Sequence, residues 1–218
     1  MNTQLHSLIE RQHQRMRELR EDAPDFANTV AHEVWDKFVI DVEEATADSY
    51  MFDMATSTRM ALSGALALNY DDAFEHHVHG FFERQGHELC ESCVSLASFD
   101  GTQIDLAGLR KGLKLRRCAE ELIGQAIERA KPGLIGMLFL SSDPCSDAWE
   151  REHSDNAKRL RSKLLELREP IIDTIREGLG AVIQTGRLAY IEMLEGLPGH
   201  LASTKNSLKA ASRDGSRA

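Results

Sequence analysis

Four of the nine histidines and two of the four cysteines fall within eighteen residues, as His76, His77, His79, His87, Cys90 and Cys93. Imidazole and thiolate are good zinc ligands, so metal binding is the first chemistry this stretch suggests. On an ideal helical wheel His76, His79, Glu83, His87 and Cys90 share one face. Phe74, Val78, Phe81, Phe82, Gln85 and Leu89 share the opposite one. A rise of about 1.5 Å per residue separates His76 from Cys90 by about 21 Å, whereas zinc ligands sit about 2.0–2.3 Å from one ion. One metal therefore cannot take all five. The compact sets are Glu83–His87–Cys90 and His76–His79–Glu83, with Cys93 able to join His87 and Cys90.

A closed structural zinc site needs four ligands, and Cys118, Cys145 or His153 would have to be folded in to complete one. The sequence does not call for a cofactor; zinc is the metal such a set would take. The competing reading, and the favoured one, is a polar histidine stripe with the cysteines as small packing residues. Redox exchange through Cys90-x-x-Cys93 is disfavoured by Glu88 and Glu91, which oppose thiolate formation. Glu10-x-x-His13 and Glu150-x-x-His153 are half-motifs of a diiron bundle, with Glu43, Glu44, Glu120 or Glu121 as nominal further donors. Such matches arise easily in charged helices, and surface residues are the better reading. Ser141, Ser142 and His153 near Asp143, Asp147 and Asp155 have hydrolytic residue types but no spatial order that makes a triad.

These groups need elements to position them. The chain has 218 residues, 42% apolar and only 6% aromatic, enough for one large or two small domains without cysteine staples. The mixture of Leu, Ala, Glu and Arg favours helices. An all-α irregular multi-helix bundle is predicted, elongated if its long helices stay unbroken, with 1–195 as a single helical domain and 196–218 as a mobile tail. No stretch is apolar enough to span a membrane, and the first residues lack a basic region followed by an apolar run. A cytoplasmic chain with free thiols is expected.

The strongest helical signal is Phe26, Val30, Val34, Phe38 and Val42, recurring every four residues. Asp22 and Pro24 predict a helix start after a first helix over 4–20. A break is expected in 45–58, where Ser, Thr and Asp compete for backbone hydrogen bonds. Another boundary is expected at 69–72, followed by helices over 72–97 and 106–130. The apolar run 134–140 reads as a buried helical segment. A helix beginning near Asp143-Pro144 precedes a last one from Pro170 to about 194. Trp35 and Trp149 adjoin apolar stripes as candidate interaction anchors, core packing being the alternative for each.

Charge is segregated. The net charge of −9 combines +2 over 1–20, −14 over 21–100 and +3 over 101–218. An acidic middle excludes a general nucleic-acid platform, which needs phosphate neutralisation. It suits a basic protein surface or the chain's own more basic remainder. The expected role is a helical interaction or regulatory protein with a protein partner or a second copy of itself. A metal-dependent helical enzyme, or a helical protein with structural zinc, is the alternative.

Overall fold

A computed structural model of the chain describes residues 2–47, 55–92, 115–130 and 147–214. They form an irregular all-helical bundle, and no strand occurs among the described residues. The helices are α1 (Asn2–Ala47), α2 (Ala55–Ala73), α3 (Gly80–Ser92), α4 (Leu115–Ala130), α5 (Asp147–Leu165) and α6 (Arg168–Asp214). A π-helical turn, Phe74–His79, joins α2 directly to α3. The predicted segment 134–140, and residues 106–114 of the helix predicted over 106–130, lie outside the described residues.

The chain gathers into two compact units. Unit 1 comprises Met1–Pro24, His76–Gly112 and Gly180–Ala218; unit 2 comprises Asp25–Glu75 and Leu113–Leu179. Three helical stretches contribute to both. Two of them divide where the α-helical ladder is altered, at Pro24 and inside the π turn, and α6 divides at Gly180.

Pro24 does not start a helix, contrary to the prediction, because α1 continues through it from Asn2 to Ala47. Proline removes the hydrogen bond to the carbonyl four residues back. Arg20 and Pro24 are both exposed, so water can take the place of the missing donor. The predicted break in 45–58 falls on residues 48–54, outside the described residues; α1 is described to Ala47 and α2 from Ala55. The buried Thr46 hydroxyl donates to the Val42 carbonyl at 2.7 Å, the back-bonding that competes with helix continuation. The boundary predicted at 69–72 is instead a change of helix type. The Asn69 amide is engaged by Asp41 at 2.7 Å rather than by its own backbone, and the widened turn follows.

In unit 2 the four-residue stripe of α1 is the core: Val30, Val34, Phe38 and Val42 are each at most 1% exposed. Leu62, Leu66 and Tyr70 of α2 are also buried, and α4 packs against both α2 and α5. A Cβ on Gly124 of α4 would stand 3.1 Å from Arg59 Cδ, so the exposed Arg59 side chain of α2 would have to shift by a few tenths of an ångström. Helices α5 and α6 are joined by only Glu166 and Leu167, whose amides donate to Ser162 and Leu164 carbonyls at 3.1 Å. Pro170 lies in the first turn of α6, where its absent N–H leaves nothing unpaired.

Unit 1 buries Leu8, Met16, Val78, Phe82, Leu89 and Tyr190, with the Phe82 and Tyr190 rings 6.2 Å apart. Helix α6 does not stop near 194 as predicted; it carries Pro198 inside and reaches Asp214. One proline removes one helical bond, and the Leu, Ala and Lys residues beyond it are strong helix formers. Gly180, earlier in α6, has no heavy atom within 4 Å of where a Cβ would stand. Gly180→Ala is expected to raise stability by about 0.5–1 kcal/mol through lower unfolded-state entropy, measurable as a higher urea midpoint at unchanged slope.

Candidate functional site

The histidine segment begins with the π turn, and that changes its geometry. Phe74, Val78, Phe82, Gln85 and Leu89 are buried, as the wheel predicts. His76, Glu83 and His87 are exposed, while His77 and His79 are half-buried. The i→i+5 bonding of the π turn departs from the 100° step on which the His76–His79–Glu83 alignment rests. Among the described residues no three His, Cys, Asp or Glu side chains come together as a metal-ligand group. His76–His79–Glu83 is therefore not assembled. The Cys90 side chain and Cys93 lie outside the described residues, as do the side chains of Glu150, His153 and Trp149.

If His76 and His79 are only a partly solvated stripe, His76→Asn/His79→Asn will carry the same metal content as the unaltered chain. Elemental analysis of both proteins checks this; selective loss of zinc from the variant would contradict it. The first diiron half-motif is not gathered either. Glu10 is exposed and pairs with His6 at 3.3 Å, and Glu43 is held by Arg161.

Trp35 is 3% exposed and packs 5.7 Å from the Phe38 ring. This is the core alternative weighed for it. An anchor must reach its partner, and Trp35 is covered by its own unit.

The acidic segment divides into paired and unpaired carboxylates. Glu88 is held by Arg15 and Glu43 by Arg161, each cation coming from outside residues 21–100. Glu33 pairs with Lys37 at 2.9 Å. Asp36, Glu44 and Asp72 are exposed and have no ion pair among the described residues.

Those three carboxylates lie beside apolar side chains that the sequence reading passed over. Ile40, Met60 and Leu68 are 57%, 57% and 64% exposed. They belong to stripes of four-residue spacing, Asp36–Ile40–Glu44 on α1 and Met60–Gly64–Leu68–Asp72 on α2. Gly64 opens outward, with no atom within 4 Å of a Cβ position. The available signal was the composition of 60–68, apolar on both faces, so that burying Leu62 and Leu66 leaves Met60 and Leu68 outside.

The Asp41–Asn69 hydrogen bond joins α1 to α2. Ile40 precedes Asp41 and Leu68 precedes Asn69, so these two exposed apolar residues flank the joined pair in sequence, with Asp36, Glu44 and Asp72 each four residues from one or the other.

No family model, curated protein or solved structure matches this chain. Among the described residues no helix is long and apolar enough to cross a membrane.

Proposed function

We propose that this chain is a helical interaction protein of the cytoplasm that docks a protein partner on a ridge formed by Ile40 and Leu68 in unit 2. The observation that carries the reading is the coincidence of exposed large apolar side chains with unpaired carboxylates, four residues apart, on both α1 and α2. Single exposed leucines are ordinary; neighbouring ones with a rim of one charge sign describe an interface. Its complement is a partner helix that is apolar along one stripe and rich in Lys or Arg beside it. The free thiol of Cys118 accords with a reducing compartment.

The test compares partner capture by the full chain and by Asp36→Lys/Glu44→Lys/Asp72→Lys. Selective loss from the reversed variant, with helical content unchanged, supports the reading. Equal capture overturns it. Native mass at micromolar concentration separates a second copy of the chain from a different partner.

A further inference from the structure

We propose that unit 1 contains a binding site for a small oxyanion, built from the guanidinium of Arg187 and the side-chain amide of Gln12. Arg187 lies on the inward stripe of α6 with Ile183, Tyr190 and Leu194, and is only 7% exposed. Its Nε donates to Gln184 Oε1 at 3.1 Å. That acceptor is a neutral amide one turn back on the same helix, and no carboxylate pairs with Arg187 among the described residues. Arg15, also in unit 1, shows the contrast: it donates to Gln85 at 2.8 Å and its charge is met by Glu88.

A second unpartnered donor lies in the same unit. Gln12 is fully buried; its Oε1 accepts from the Tyr190 hydroxyl at 3.3 Å, while its Nε2 has no partner. Tyr190 follows Arg187 by three residues, and side chains three apart on a helix are neighbours, with Cβ atoms about 5–6 Å apart. The Tyr190 bond therefore ties the Gln12 amide to the turn of α6 that follows Arg187.

Both groups are donors, and neither the Arg187 charge nor Gln12 Nε2 has an anionic partner among the described residues. A buried cation without a counterion is costly, and a buried amide N–H without an acceptor adds to that cost. These demands select the ligand. A metal cation is repelled, and a hydrocarbon leaves every N–H unpaired. A carboxylate or phosphate offers paired oxygens that match the planar guanidinium fork, with a further lone pair for the Gln12 amide. The small remaining exposure of Arg187 gives an ion access from solvent. The alternative is an arginine whose head is merely hydrated.

The experiment is thermal unfolding of the full chain in sodium phosphate, sulfate or acetate, each against sodium chloride at matched ionic strength. A bound ligand raises the midpoint along a saturation curve, whereas general salting effects keep growing with concentration. The expected result is a saturable rise with at least one oxyanion, absent in Arg187→Met and reduced in Gln12→Leu. Arg187→Lys keeps the charge but not the fork, and is expected to bind roughly tenfold more weakly. Response to phosphate and sulfate would assign the site to tetrahedral anions, and response to acetate to carboxylates; either supports the proposal. No saturable rise, or an equal rise in wild type and Arg187→Met, overturns it. If Arg187→Met does not fold, titration of the Arg187 guanidinium nitrogen resonance in the wild-type chain decides: saturable movement supports the site, and no movement overturns it.

Discussion

Replacing Phe38 with alanine is expected to lower the unfolding free energy by about 3–5 kcal/mol. Phe38 is completely buried, in the middle of the Val30–Val34–Phe38–Val42 stripe, with Trp35 as its ring neighbour. Truncation removes the transfer free energy of the ring and leaves a cavity that neighbouring aliphatic side chains fill only in part. Two residues away the expectation reverses. Ile40 is 57% exposed, so Ile40→Ala is expected to stay within about 0.5 kcal/mol of wild type. Urea unfolding followed by circular dichroism measures both. A Phe38→Ala cost below about 1 kcal/mol would mean that the α1 stripe is not the core of unit 2.

The second large effect concerns association. Reversing Asp36, Glu44 and Asp72 to lysine is expected to weaken partner binding about 100-fold at moderate salt. Like charges brought together across an interface cost several kcal/mol, and about 2.7 kcal/mol is a factor of 100. Stability should change little, because these exposed carboxylates have no ion pair to lose. The wild-type complex should also weaken as ionic strength rises, since rim charges are screened over about 8 Å at physiological salt. Titration of the captured partner onto both proteins at two salt concentrations reads all three expectations. A change in stability as large as the change in binding would point to damage to the fold.

Much of the helical architecture is legible in the sequence because it rests on periodicity. The α1 stripe and the buried Phe74, Val78 and Phe82 follow from residue type and spacing alone. The predicted boundaries at Pro24 and at 69–72 follow local propensity, which tertiary context overrides. An exposed proline costs a helix one bond, and an Asn side chain engaged by Asp41 cannot cap its own backbone. The π turn is invisible to a wheel drawn at a constant 100°, so a ligand set that includes His76 and His79 fails first.

The candidate surface was half legible. Acidity of 21–100 is a property of composition. Which carboxylates remain unpaired depends on Arg15 and Arg161, distant in sequence. The link between the Ile40 and Leu68 segments runs through the Asp41–Asn69 contact, which no local pattern foretells. Arg187 is not legible as a buried residue from the sequence, because a charged side chain between apolar positions has the pattern of a helix edge, and only its burial sets it apart.

The most direct test of the interaction surface is site-specific photo-cross-linking in cells that make the protein. A photoreactive side chain at Leu68 reports on the ridge, and one at Leu188, 52% exposed in unit 1, serves as the comparison. The expected result is one discrete protein adduct from position 68, absent from position 188, and lost when Asp36, Glu44 and Asp72 are reversed. Equal labelling from both positions, or an adduct from position 68 that survives the reversal, would contradict the account. An adduct of twice the chain mass of 24.4 kDa would contradict a separate partner and give the ridge to a second copy.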